Sequence, residues 1–255
     1  MLEVDIKSKR FQTGEGATLE VLRNIAFSCA QESFTSIVGP SGCGKTTTLR
    51  CILGLDSDYE GSVEVKGSGR NSGKNIQAGQ NIVSAAFQEP RLLPWRTVEQ
   101  NVKLALQQYD KAELDALFEE LGLTGHRDFF PTELSLGLAR RVSLARAFAV
   151  KPSVLILDEP FVSLDDQTAK RLRKLLLKVW SARTCIALMV THNLVEAIEL
   201  SDRILFFPDG PTGVVNEFVI PVAREQRDAQ TVNRIRDEIL ERGIAKVPDF
   251  EGGAV

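Results

Sequence analysis

An α/β fold with a largely parallel sheet is predicted by three observations. The runs SVLILD (153–158), CIALMV (185–190) and RILFFP (203–208) are almost continuously apolar, as strands covered on both faces are. Helical periodicity occupies the segments between strand patterns, the alternation expected of a parallel sheet with crossover helices. A glycine-rich turn, GPSGCGKTTT (39–48), joins a further strand pattern, SFTSIVG (33–39), to the helical run KTTTLRCILGL.

Taken in order, the strand at 33–39 and the helix after the turn form the first strand-to-helix unit. Strand patterns then vanish between about 90 and 150, where Leu114, Leu117, Phe118 and Leu121 make one helical stripe and Leu134, Leu138, Val142 and Ala145 a second. A helical subdomain inserted in the α/β core is therefore expected there. The strand at 153–158 leads to a helix over about 166–181, with Leu172, Leu175, Leu176 and Val179 on one stripe. Lys170, Arg171, Arg173, Lys174 and Lys178 fall mostly off that stripe and read as a solvated face. Strands at 185–190 and 203–208 follow. The core domain is expected to span 1–222. The tail, 223–255, carries a short amphipathic helix with Val232, Ile235 and Ile239, stopped near Gly243.

Composition limits what these elements can do. A chain of 255 residues with 43% hydrophobic content can bury roughly 70–75% of its unfolded surface. Thirty-one Lys and Arg against 34 Asp and Glu leave a net charge of -3, without the positive field of a nucleic-acid binder. Cys29, Cys43, Cys51 and Cys185 form no C-x-x-C pair, which predicts free thiols in a reducing compartment. No apolar run approaches the ~20 residues that span a bilayer, and the N-terminus MLEVDIKSKR does not read as a signal peptide.

The turn at 39–48 satisfies G-x-x-x-x-G-K-[ST] in the required setting, after a strand and before a helix. Such a loop curls so that successive N–H groups point at phosphate oxygens, and the helix adds its positive end. Lys45 is placed to bridge β- and γ-phosphates, and the Thr46 hydroxyl to bind Mg²⁺. In LILDEP, a buried strand ends at Asp158, at the carboxyl edge where open α/β folds bind ligands, so Asp158 can also hold Mg²⁺. Glu159 follows directly, and a second carboxylate there can deprotonate an attacking water. His192 ends another core strand, in MVTHN, and is read as a γ-phosphate contact; His126, in LTGHRD, is read as solvated.

With these residues in this order, nearly the whole chain resembles the ATP-binding cassette of ABC transporters. The resemblance implies a P-loop NTPase fold: a mostly parallel RecA-like core, an N-terminal antiparallel β region and an inserted α-helical subdomain. Gly39, Pro40, Ser41, Gly42, Cys43, Gly44, Lys45, Thr46 and Thr47 match its Walker A loop, and Gln88 in FQEPRLLPW its Q-loop, which senses Mg²⁺ and the membrane partner. Leu134 to Leu138 match the signature, Asp158 and Glu159 the Walker B aspartate and catalytic glutamate, Asp165 in SLDD the D-loop, and His192 the switch histidine. Phe11 is the counterpart of the aromatic that stacks on adenine. FQEPRLLPWRTVEQNV is similar to the Q-loop region of ATPase subunits serving nitrate, aliphatic-sulfonate and taurine importers.

What the resemblance implies is an ATPase using ATP and Mg²⁺, paired as a homodimer, with Glu159, His192 and Lys45 in catalysis. Its partners are transmembrane permease subunits and, through them, a periplasmic solute-binding protein; its place is the cytoplasmic side of the inner membrane, peripherally. A non-hydrolysing regulatory module and the ATPase of a lipid or export system are the alternatives. The family signature reads Leu-Ser-Gly-Gly-Gln, whereas here Leu136 and Leu138 replace the first glycine and the glutamine. Ser135 and Gly137 remain, and the expected donors to the opposite subunit's phosphate include backbone amides at a helix start, which leucine supplies as well as glycine where φ is negative. A working but altered site is expected.

Overall fold

The computed structural model describes residues 1–12, 14, 16–66, 83–211 and 216–244. Residues 245–255 of the expected tail lie outside them. The elements in chain order are β1 (Leu2–Gln12), β2 (Thr18–Cys29), β3 (Phe34–Val38), α1 (Lys45–Ile52), β4 (Glu60–Val65), β5 (Val83–Ala86), α2 (Val98–Lys103), α3 (Lys111–Glu120), α4 (Leu136–Ala149), β6 (Val154–Asp158), α5 (Asp166–Ser181), β7 (Ile186–Thr191), α6 (Leu194–Leu200), β8 (Arg203–Phe206), β9 (Asn216–Val219) and α7 (Ala229–Glu241). The chain is a mixed α/β protein of two compact units, one formed by 1–80 with 186–255, the other by 81–185.

In the first unit, β1 pairs antiparallel with both β2 and β4. Leu2, Val4 and Ile6 alternate inward along β1, the period of two that buries one face. A second group of strands has β3 between β7 and β8, both parallel to it, with β9 antiparallel at the edge of β8. Every residue of β3 and β7 is buried, the condition of a parallel strand covered on both faces. Register is in step at the carboxyl ends: Val38 pairs with Thr191 and with Phe206. On one side α6 and α7 close a core in which Val232, Ile235 and Ile239 meet Leu194, Ile198 and Phe218. Asp228 caps α7 by accepting from the Thr231 N–H, and Gly243, at φ 62, follows its end.

The second unit contains the parallel pair β5 and β6, with Ala86 opposite Leu157, and the helices α2 to α5. From 90 to 150 the elements are helices and two 3-10 turns, Thr124–His126 and Pro131–Glu133. The stripe Leu114, Leu117, Phe118 and Leu121 is buried. The second predicted stripe is shorter than expected: Leu134 precedes the cap residue Ser135 and lies outside α4, and Leu138 is half-buried, while Val142 and Ala145 are buried. In α5, Ala169, Leu172, Leu176 and Val179 are buried. Arg173 departs from the solvated reading of its face, being half-buried with its guanidinium 5.8 Å from the Phe161 ring centre.

Candidate functional site

Gly39 to Gly44 leave β3 and enter α1 through two left-handed glycines, Gly42 (φ 82) and Gly44 (φ 94). Side chains are sterically excluded at both ends of the turn. A Cβ on Gly39 would stand 2.7 Å from the Phe207 carbonyl oxygen, and one on Gly44 would stand 2.4 Å from Leu22 Cδ2. The curl is thus imposed by packing as well as by φ. Lys45 opens α1 and is only 6% exposed. Its ammonium donates to the carbonyls of Gly39 (2.7 Å) and Pro40 (2.6 Å), so the cation stands inside the curl whose amides line a turn. Thr46 is exposed and Thr47 half-buried beside it. Burial pushes the Cys43 thiol above its ordinary pKa.

His192 leaves β7 one residue after Thr191, the partner of Val38. The structure therefore brings it to the strand end from which the loop starts. It is exposed, and its turn is braced on both sides. The Thr191 hydroxyl donates to the buried Glu196 carboxylate (2.8 Å), the Asn193 N–H donates to Thr191 Oγ1 (3.0 Å), and Asn193 Oδ1 caps α6 by accepting from Val195 and Glu196 N–H groups. Sequence reading missed this brace, although Asn193 followed three residues later by Glu196 is the spacing of a helix-opening capping pair. Phe11 lies on β1, 40% exposed, with the Lys9 ammonium 4.5 Å from its ring centre. Lys9 is the strand partner of Leu22, the side chain that packs beneath Gly44, so Phe11 stands near the loop's own support.

In the unit 81–185, β5 and β6 end in step and deliver Gln88, Asp158 and Glu159 to one end of the pair. Asp158 is buried at the last position of β6; Glu159 is half-buried in the left-handed region at φ 45. That conformation is costly for a residue with a Cβ and is found where the surroundings hold it. Gln88 is exposed. Ser135 caps α4 by accepting from the Leu138 N–H (3.3 Å). Leu136, the first helical residue, is absent from the positive-φ positions, so its amide takes the orientation a glycine would give. Gly137 permits a close approach inside the unit, where an added Cβ would lie 3.0 Å from Thr168 Cγ2. Asp165 caps α5 by accepting from the Thr168 N–H (2.9 Å), and the hydrogen bonding with Thr168 holds its carboxyl below the usual carboxylate range. The turn that opens α4 and the SLDD turn thus meet at Thr168.

His126 departs from expectation. Its ring stacks edge-on against Phe129 at 5.2 Å and its Nδ1 is buried, so it is a half-covered aromatic and not a freely solvated side chain. All four cysteines are free thiols and buried. No helix among the described residues is long and apolar enough to cross a membrane.

Comparison with known proteins gives concordant results. Residues 22–162 match the family described as ABC transporter. The aliphatic sulfonates import ATP-binding protein SsuB of Bacillus subtilis is 38% identical over 252 residues, covering 97% of this chain and 96% of that protein. A Pseudomonas aeruginosa protein of the same description is 41% identical over 227 residues, covering 86% and 89%. Among solved structures, the dimeric bacterial ABC transporter cassette MJ0796 superposes with a TM-score of 0.74 at 26% identity, covering 88% of this chain and all of that one. A dimeric post-hydrolysis state of the same cassette, bound to ADP and Pi, gives 0.71 at the same identity and coverage.

Proposed function

This chain belongs to the ABC transporter family, and on that premise we propose that it is the ATP-hydrolysing subunit of an importer for aliphatic sulfonates or similarly small organic anions. The observation that carries the reading is the loop Gly39–Gly44, curled by two left-handed glycines around a buried Lys45. Its amides and the start of α1 suit a triphosphate. When ATP enters, phosphate oxygens take over the Lys45 hydrogen bonds now made to Gly39 and Pro40 carbonyls. Phe11 offers an exposed ring to adenine.

Mg²⁺ fits the residues present. Among the described residues no three His, Cys, Asp or Glu side chains are placed to hold a metal. The donors on offer are one carboxylate, Asp158, one hydroxyl, Thr46, and one amide oxygen, Gln88. A sparse set of hard oxygens suits an ion that keeps its waters and arrives on phosphate. Asp158, Thr46 and Gln88 would hold Mg²⁺ together with the nucleotide, and the ion would supply positive charge against the phosphates. Glu159 takes a proton from the attacking water as the new P–O bond forms and the bond to the ADP oxygen breaks. His192 contacts the γ-phosphate. A second copy of the chain completes each site with Ser135 and Gly137, and Asp165 lies at that interface.

Permease subunits are the membrane partner, docked at the cytoplasmic face. Trp95, 71% exposed, and Leu104 stand uncovered in the unit that carries Gln88, and they are the apolar side chains there offered to that contact. A periplasmic binding protein delivers the cargo to them. Phosphate release by the purified chain tests the reading. Mg-ATP should be hydrolysed by the wild type, and chelation of Mg²⁺ should stop it. Glu159→Gln should bind ATP with turnover reduced at least about 100-fold. Normal turnover in that variant would remove Glu159 from its role, and a wild type that binds no Mg-ATP would overturn the function.

A further inference from the structure

The signature helix carries a buried cation that the mechanism above leaves unused. Arg140 lies in the second turn of α4, 5% exposed. Its Nη1 donates to two successive backbone carbonyls, Glu159 O at 3.3 Å and Pro160 O at 2.5 Å. Burying a guanidinium is expensive and persists where its hydrogen bonds fix something. Here they grip the turn in which Glu159 adopts φ 45. The direction of the Glu159 carbonyl is set by the torsion next to its Cα, so a donor that fixes this oxygen also fixes the bond along which the carboxylate projects. The turn's own hydrogen bond to that oxygen, from the Val162 N–H, is long at 3.4 Å. The Arg140 contact to the same oxygen, at 3.3 Å, is of similar length, and it is the short Arg140 bond to the next carbonyl, Pro160 O, that ties the turn most closely to α4.

We propose that Arg140 is a positioning residue for Glu159, holding its left-handed backbone so that the carboxylate meets the attacking water. The proposal rests on the reading of Glu159 as the base. Arg140 stands one and a half turns after Ser135, on a helix whose start is fixed by the Ser135 cap and by Gly137 against Thr168. One side chain therefore links the surface presented to the second subunit with the carboxylate of the same chain. Nothing in the sequence separates Arg140 from Arg141 beside it; only the helix phase distinguishes them.

The test is a double-mutant cycle in the full chain, reading ATP binding, single-turnover hydrolysis and steady-state constants. Arg140→Met should lower kcat about 10- to 100-fold, the size of effect that misplacing a catalytic group has, with KM for ATP held within about twofold. Arg140→Lys should recover part of the rate. In the Glu159→Gln background Arg140→Met should add no further loss, because the group it positions is gone. A loss of equal factor in both backgrounds, or a raised KM at unchanged kcat, would overturn the proposal. If Arg140→Met does not fold by circular dichroism, Arg140→Lys and Arg140→Gln carry the same comparison. A wild-type rate in Glu159→Gln alone faults the assignment of the base, whereas a wild-type rate in Arg140→Met beside an inactive Glu159→Gln faults the positioning only.

Discussion

At Gly44 a single missing side chain makes the curl from Gly39 to Gly44 possible. Its φ of 94 is left-handed, and the space a Cβ would need is already filled by Leu22 Cδ2 at 2.4 Å and the Val21 carbonyl at 3.1 Å. Gly44→Ala combines backbone strain with overpacking, and should destabilise the protein by about 1–3 kcal/mol. Thermal unfolding measures this, and nucleotide binding should be lost with it; a variant of unchanged Tm and affinity would mean the loop tolerates another shape. The glycines of this loop were readable because spacing and context are both encoded in nearest neighbours. The left-handed Glu159 was not, since no local pattern announces a strained non-glycine. Arg140 was likewise hidden, because exposure of adjacent arginines on a helix depends on what packs against it.

Helix α7 shows what an element adds beyond its residues. Its three buried residues, Val232, Ile235 and Ile239, follow helical spacing, and they complete the core over α6, the helix that starts two residues after His192. Two arginines reinforce that cover: Arg224 donates to the Leu200 carbonyl, and Arg227 to those of Ile198 and Ser201, at the end of α6. Ile235→Ala should cost about 2–5 kcal/mol, read by denaturant unfolding; a negligible cost would make α7 a loose appendage. The Asp228 cap adds a pH dependence. The hydrogen bonding with Thr231 holds its carboxyl below the usual range, so the folded state binds this proton more weakly than the unfolded chain. Its stabilisation is complete above about pH 4 and fades as the pH falls through the lowered pKa. Asp228→Asn keeps a neutral cap and should blunt the loss of stability on acidification while leaving pH 7 little changed. An acid limb identical to wild type would count against that cap.

Elements differed in legibility for the same physical reasons. Strands β6, β7 and β8 announced themselves as apolar runs because both faces are covered. The antiparallel strands β1, β2 and β4 entered through family resemblance, although Leu2, Val4 and Ile6 already spell their alternation. Leu134 misled the helical pattern because apolar periodicity continues through the cap residue Ser135, whose hydroxyl, and not the stripe, sets where α4 begins.

For the whole molecule, the central claim is that two copies close upon ATP, with Ser135 and Gly137 of each facing the nucleotide held by the other. The leucines at 136 and 138 leave this possible, because Leu136 keeps helical geometry and its backbone donor. The size of the Glu159→Gln chain in Mg-ATP, measured by sedimentation, is the most direct check. The account predicts a stable dimer that reverts to monomer when Ser135→Arg is added, with ATP still bound to each chain. A Glu159→Gln chain that is saturated with ATP and remains monomeric, or a dimer indifferent to Ser135→Arg, would contradict it.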